Sequence, residues 1–240
     1  MIRTYTKRLQ SLPRQLYRIS RCLGCQQPTH HSSLWCKDCL SLLQPVATER
    51  CQQCGIAIPH PPRCGQCLKR PPAFDLCIVF DDYQWPLDKL IQRFKHHKEV
   101  LLGQGLAELF YRHHSAAAAT TLCPVPMHWR KQWQRGFNQS ELLCQSLAKF
   151  YHLPHMDLFS RKHAGHDLIG LSRSERQRAI RNSYQLKPFK SLPSHITLVD
   201  DVMTTGATLN ELANQLKKAG VEQINCWVLA RTPKPYSTAR

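Results

Sequence analysis

The sequence predicts an α/β fold, with a mainly parallel sheet flanked by helices and a small cysteine-rich module at the N-terminus. Three observations predict it. First, Ile196 to Val199 is a short aliphatic and β-branched run of the kind that forms a buried strand. Two acids follow (Asp200, Asp201), then a loop with Thr204, Thr205, Gly206 and Thr208, then helical periodicity from Leu209 to Ala219 that stops at Gly220. Second, further apolar strand candidates, Leu76 to Phe80 and Ile224 to Arg231, are separated by segments of helical period, Leu87 to Phe94, Leu101 to Tyr111 and Ser140 to Tyr151. Third, four Cys-x-x-Cys pairs lie between Cys22 and Cys67, ahead of the first long strand candidate.

Composition narrows the function classes. With 240 residues the chain has room for one α/β domain and an appendage, and 42% hydrophobic residues supply a core. There is no apolar run of the ~18 residues that a membrane-spanning helix needs. The N-terminus lacks the continuous apolar segment of a secretory signal, and the protein reads as cytoplasmic. The formal net charge of +17 points to a polyanionic partner, with single-stranded DNA the foremost candidate. A small charged ligand would account for a local patch only. The alternative is charge serving solubility alone.

Residues 1–21 carry Arg3, Lys7, Arg8, Arg14, Arg18 and Arg21 without an acid. They read as a basic segment that packs on the next module or on a partner, ahead of a transit peptide. Residues 22–70 form the cysteine-rich module. Each Cys-x-x-Cys turns two thiolates toward one point, and two such knuckles complete a tetrahedral zinc site with four cysteine ligands. Sequential pairing gives Cys22, Cys25, Cys36 and Cys39 for one ion and Cys51, Cys54, Cys64 and Cys67 for another; spacing alone leaves interleaved pairing open. Four thiolates leave no open coordination position, so the one or two zinc ions are structural. No internal repeat is apparent. The prolines after Lys69-Arg70 read as a linker, and residues 73–232 as the α/β domain, followed by a polar tail at 233–240.

Three basic stretches lie within that domain. Arg93 to Lys98 (RFKHHK) reads either as a phosphate contact or as a solvated helix end. Residues 128–138 offer Arg130, Lys131, Arg135 and Gly136 to an anion. Trp129 and Trp133 are four apart, which reads as core packing ahead of stacking on a base. Residues 161–190 are rich in Arg and Lys and suit a flap closing over an anionic site. Cys77, Cys123, Cys144 and Cys226 lie on apolar runs and read as buried small hydrophobes; the scattered histidines read as surface or packing residues.

The stretch ITLVDDVMTTGAT matches neither a P-loop nor a dinucleotide fingerprint. It resembles the phosphoribosyl pyrophosphate (PRPP) loop of type I phosphoribosyltransferases, which runs hydrophobics, two acids, two variable residues, then Thr-Thr/Ser-Gly-x-Thr. That resemblance implies a type I phosphoribosyltransferase-like, Rossmann-like domain. It assigns Asp200 and Asp201 to the ribose hydroxyls and Thr204, Thr205, Gly206, Ala207 and Thr208 to the 5-phosphate, with Lys131 and Arg135 on the pyrophosphate. Asp200, Asp201 and Arg135 would be the catalytic set, and Mg²⁺ would accompany PRPP. The Pro-x-Pro of residues 124–126, the Arg135-Gly136-Phe137-Asn138-Gln139 run, the junction Arg70 to Asp75, and Leu171-Ser172-Arg173 with Arg176, Asn182 and Tyr184 are similar to the ComF/GntX family of bacterial competence and DNA utilisation. This likeness spans about Cys22 to Thr232. In one departure, Leu168 stands where the family pattern has Gln. The resemblance implies a PRPP-binding protein acting in DNA uptake or natural transformation alongside competence or DNA-processing proteins. An active phosphoribosyltransferase of nucleotide metabolism with no DNA role is the alternative.

Overall fold

The structure, a computed structural model, describes residues 20–29, 33–46, 48–115, 121–162 and 183–233. The chain forms two compact units, one ending at Ser41 and the other beginning at Leu42. The basic N-terminal stretch before Ser20, most of the cation-rich 161–190 stretch (including Leu168, Leu171 to Arg176 and Asn182) and the tail from residue 234 lie outside the described residues.

In the first unit, strands β1 (Ser20–Arg21) and β2 (Pro28–Thr29) pair antiparallel around the first knuckle. The helix α1 (Lys37–Leu42) carries Cys39. The second unit opens with an arrangement of the same kind. Its knuckle at Cys51 is flanked by the antiparallel bridge Arg50–Ala57 and is followed by α2 (Gly65–Lys69), which carries Cys67. The two cysteine modules share a backbone pattern. Cys22 N–H reaches Gln27 O and Gln26 N–H reaches Cys22 O; Cys51 N–H reaches Ile56 O and Gly55 N–H reaches Cys51 O. The absence of an internal repeat, as expected from the sequence, is therefore corrected. The repeat resides in backbone hydrogen bonds, and only the cysteines mark it in the sequence.

The rest of the second unit is built on β3 (Leu76–Asp82), β4 (Leu122–Pro124), β7 (His195–Met203) and β8 (Gln223–Arg231), in the order β3-β8-β7-β4 with every pairing parallel. The two central strands are buried along nearly their whole length, as in a parallel sheet whose faces are covered by helices. Between β3 and β4 run α3 (Leu87–His96) and α4 (Val100–His113). Between β4 and β7 run α5 (Trp129–Arg135), α6 (Gln139–Tyr151) and the antiparallel hairpin β5 (Phe159–Arg161) with β6 (Tyr184–Leu186). Helix α7 (Ala207–Lys218) joins β7 to β8.

Helical period sets what each helix buries. Helix α3 buries Leu87, Leu90, Ile91 and Phe94, and α7 buries Leu209, Leu212, Ala213 and Leu216, an i, i+3, i+4, i+7 stripe in both cases. The α7 stripe packs on Ile196, Leu198, Cys226 and Val228 of the central strands. Trp227 on β8 meets Phe110 of α4 and Tyr151 of α6 at ring-centroid distances of 5.3 and 4.9 Å. The four cysteines on apolar runs, Cys77, Cys123, Cys144 and Cys226, are all buried, as expected.

Strand β3 would be an open edge, and the second cysteine module covers it. Cys77 N–H donates to Gln52 O (2.9 Å), and Gly55 sits so close that a Cβ there would overlap Val79. The guanidinium of Arg50 reaches both acids at the strand's end, Asp82 (2.7 Å) and Asp81 (3.2 Å). The junction that follows is also pinned. Phe74 is buried in the core, Ala73 N–H donates to Asn210 Oδ1 (2.7 Å), and Asp75 Oδ2 accepts Ile224 N–H (2.8 Å).

Candidate functional site

Strand β7 is longer than the aliphatic run indicates. It continues through both acids to Met203, so Asp200 and Asp201 occupy successive strand positions and their carboxylates leave opposite faces. Asp200 Oδ1 accepts from Ser140 Oγ (2.8 Å), in the first turn of α6, and from the Asp201 N–H (3.0 Å). Asp201 is buried and pairs with Lys95 of α3 at 3.0 Å. Burial, and then the charge of Asp201 beside it, push the Asp200 carboxyl up to about 7; the Ser140 hydrogen bond and Lys95 pull the other way.

The chain turns at Thr204-Thr205-Gly206. Gly206 caps α7 in the left-handed region (φ 77°), and a Cβ there would overlap the Met203 Cε methyl. Thr205 Oγ1 accepts the Ala207 N–H at 3.3 Å. Helix α7 starts two residues earlier than its apolar period, inside the loop, so the first-turn amides and the helix dipole lie at the carboxyl end of a central parallel strand. Thr204 and Thr205 are exposed, while Gly206, Ala207 and Thr208 are half-buried. Tyr184 lies beside Thr208, Arg161 and Asp200; burial raises its phenol pKa against the pull of Arg161 and Thr208. Arg161 stacks on its ring at 5.3 Å.

Helix α5 brings Arg130, Lys131 and Arg135 onto one short element. His128 caps it: Nδ1 accepts the Arg130 N–H (3.2 Å), so the other ring nitrogen, Nε2, carries the proton and donates to Lys162 O (3.2 Å). Its C-terminal end runs into the motif at 135–139, where each residue has a task. Arg135 Nη1 donates to the buried Gln139 Oε1 (3.0 Å), and Phe137 stacks on Phe94 (5.6 Å). Asn138 caps α6 by accepting Ser140 N–H and donates through Nδ2 to Val125 O (3.0 Å). Lys131, Arg135 and Arg161 form a cation group. Burial, with the charges of Arg161 and Arg135, lowers the Lys131 pKa. Arg161 Nε is buried with no acceptor among the described residues.

The expectation that Trp129 and Trp133 pack in the core is corrected. They are 63% and 85% exposed, and α5 buries none of its residues. The i, i+4 spacing places both rings on one face, but that face meets solvent, with Arg130 lying over Trp129 at 5.3 Å. In the RFKHHK cluster Lys95 pairs with Asp201 and Arg93 with Glu99, while His96, His97 and Lys98 are exposed.

The structure gathers the cysteines as sequential sets. Sγ atoms of Cys22, Cys25, Cys36 and Cys39 lie within 4.8 Å of one another, as do those of Cys51, Cys54, Cys64 and Cys67. The Cys25–Cys36 and Cys54–Cys64 sulfur pairs are 3.7 Å apart. That is too long for a disulfide at about 2.05 Å. It equals the edge of a tetrahedron with Zn–S bonds of about 2.3 Å, roughly 3.8 Å. Backbone amides already point at the sulfurs: Cys36 N–H donates to Cys22 Sγ and Cys64 N–H to Cys51 Sγ, each at 3.3 Å. The donor sets fit structural zinc.

Sequence reasoning passed over Ser140, Arg50 and Arg231, and named Lys95 only within the basic cluster at 93–98 and Tyr184 only within the family likeness. Arg231 carried a signal, being a cation at the end of an otherwise apolar strand. Arg50 and Ser140 carried none beyond adjacency to Cys51 and to the capping Asn138.

A parallel-sheet phosphoribosyltransferase domain joined to paired zinc knuckles is the class that this fold and site define. Residues 15–68 match the double zinc ribbon domain family and residues 174–239 the phosphoribosyl transferase domain family. The chain is 34% identical to Competence protein F of Haemophilus influenzae over 223 residues, 88% of this chain and 96% of that protein. It is 35% identical to the DNA utilization protein YhgH of Salmonella typhi over 192 residues, 76% of this chain and 84% of that one. To Competence protein ComFC of Streptococcus pneumoniae it is 25% identical over 202 residues, covering 83% and 88% of the two chains. The chain belongs to the ComF/GntX family.

Proposed function

We propose that the chain binds PRPP with Mg²⁺ at the carboxyl end of β7, and that it serves DNA uptake or utilisation in the cytoplasm. One observation carries the reading of the site: a hydroxyl- and amide-lined turn caps a helix directly after two adjacent acids at the end of a central parallel strand. Ligands of open α/β sheets bind at that edge. The amides and hydroxyls of Thr204, Thr205, Gly206, Ala207 and Thr208 hold the 5-phosphate, and Asp200 and Asp201 accept the ribose hydroxyls. Lys131 and Arg135 face the pyrophosphate from α5. Magnesium, when bound, spreads the pyrophosphate charge.

The DNA role draws on the names of the relatives and on two observations, the net charge of +17 and the exposed Trp129 and Trp133 among Arg130, Lys131 and Arg135. Exposed aromatics flanked by cations stack on unpaired bases, at roughly 1–3 kcal/mol per base. The cation group of Lys131, Arg135 and Arg161 favours a second reading, transfer itself. There the bond from the anomeric carbon to pyrophosphate breaks, a bond to an acceptor nucleophile forms, and the cations stabilise the departing charge.

Calorimetry with Mg·PRPP tests the site. Binding to the wild type that is lost in Asp200→Asn/Asp201→Asn and in Thr205→Ala supports it, and no heat with the wild type refutes it. Single-strand oligonucleotide titration over a salt series tests the DNA role. Binding whose logarithm falls linearly with log salt and which survives the two Asp→Asn changes places DNA at a separate surface. Absence of binding at low salt ends that reading.

A further inference from the structure

We infer that Arg231 is a positioning residue through which the metal state of the second zinc ribbon sets the conformation of the loop at 204–208. The inference rests on the reading of that loop as the phosphate cradle. The guanidinium of Arg231 is buried and has two ends. Nε donates to the backbone carbonyl of Cys54, a zinc ligand, at 3.1 Å. Nη1 donates to the carbonyls of Met203 (2.9 Å), Thr204 and Thr232. One planar fork therefore bridges the knuckle and the first residue of the loop.

The knuckle end is fixed by its own turn. Gly55 N–H closes onto Cys51 O at 2.7 Å, so the Cys54 carbonyl is presented by the same backbone that presents two zinc sulfurs. The knuckle is in turn seated on the sheet. Arg50 links Gly55 O (3.2 Å) to Asp81 and Asp82, and Gln53 Nε2 donates to the carbonyls of Pro72 and Phe74. Loss of the ion frees four thiolates that the turn no longer holds at one point. The carbonyl at one end of the fork then moves, and a buried guanidinium cannot leave donors unsatisfied without cost. It follows the carbonyl or swings wholly to the loop. In the first case the Met203 and Thr204 carbonyls lose the guanidinium, and in the second they hold it in a changed geometry; both shift the Thr204 carbonyl and with it the amides that follow. By linkage, a ligand that fixes the loop tightens the metal in the ribbon by the same factor.

Hydrogen-exchange mass spectrometry on the zinc-loaded full chain tests this without requiring the sugar phosphate to bind. Cys64→Ser/Cys67→Ser empties the second ribbon, Cys36→Ser/Cys39→Ser empties the first as a control, and Arg231→Lys keeps the charge but not the fork. Peptides spanning residues 203–208 are expected to exchange about tenfold or more faster in the second-ribbon variant and in Arg231→Lys, and to stay within about twofold of wild type in the first-ribbon variant. Zinc content is expected to be unchanged in Arg231→Lys. Should the second-ribbon variant exchange globally, Arg231→Lys decides alone. Loop exchange unaltered in Arg231→Lys, or raised equally by emptying either ribbon, overturns the inference. The reciprocal arm follows zinc release to the chelator 4-(2-pyridylazo)resorcinol. Mg·PRPP should slow release of one of the two ions in the wild type and of neither in Arg231→Lys. If Mg·PRPP does not bind while exchange still tracks the ribbon, the ligand assignment fails and the coupling stands.

Discussion

Replacing Gly206 with Ala isolates the geometry on which the site depends. The residue has φ 77° and ψ 6° and caps α7. An L-residue held there costs roughly 1–2 kcal/mol of backbone strain. The new methyl would also overlap Met203 Cε. Because that atom is the free end of a flexible side chain, the steric part lies near the bottom of the roughly 1–3 kcal/mol typical of overpacking. The sum is about 2–3 kcal/mol. A loop that keeps its shape carries this as lost stability. A loop that relaxes away carries it as lost affinity, about 30- to 150-fold for Mg·PRPP at 1.4 kcal/mol per tenfold. Thermal unfolding and calorimetry on the same samples separate the two. A cycle with Met203→Ala then divides the cost, since truncating Met203 removes the overlap and leaves the strain. Binding and melting of Gly206→Ala indistinguishable from wild type would refute the reasoning. A cost untouched by Met203→Ala would refute the steric half of it.

Three further outcomes follow from the same geometry. The Asp200 carboxyl is pushed up to about 7, against about 3.9 for an unfolded Asp, so between those values the folded state holds a proton that the unfolded state has lost. Stability from this group is present below pH ~4 and is lost as pH rises to ~7; Asp200→Asn should therefore raise the melting temperature of the ligand-free chain at pH 8 but not at pH 4. Elemental analysis should find two zinc ions per chain, falling to one in Cys67→Ser; a metal-free wild type that melts unchanged would contradict a structural role. Trp133→Ala should weaken single-strand binding by about 5- to 150-fold, the equivalent of one stacked base, with tryptophan quenching by the oligonucleotide reduced in parallel.

The sequence made the framework of the site legible because that framework is local. A strand, two acids, a hydroxyl-rich turn and a helix are contiguous from Ile196 to Ala219, and four Cys-x-x-Cys pairs state their chemistry by spacing. Contacts between distant segments were not legible. Ser140 reaches Asp200 only because Asn138 stops the chain and starts α6 beside β7, and Lys95 reaches Asp201 from a helix more than a hundred positions upstream. Periodicity misled at Trp129 and Trp133 because an i, i+4 pair defines a face without saying what the face meets. In α3 the same spacing buries Leu87 and Ile91, whereas α5 is two turns long, is polar or charged at every position other than its tryptophans, and has no apolar stripe to bury.

The second ribbon also shows why a module boundary drawn from composition can mislead about energetics. Its own core is small, Cys51, Ile56, Cys64 and Cys67 with Ile58 and Cys54 against it, too little apolar surface to fold without metal. Yet it supplies what the edge of the sheet lacks: a backbone acceptor for Cys77 N–H, the Arg50 guanidinium for Asp81 and Asp82, and a carbonyl for Arg231. An unpaired edge strand, two uncompensated acids and a buried cation would each be costly alone. The ribbon and the sheet therefore complete one another through these contacts.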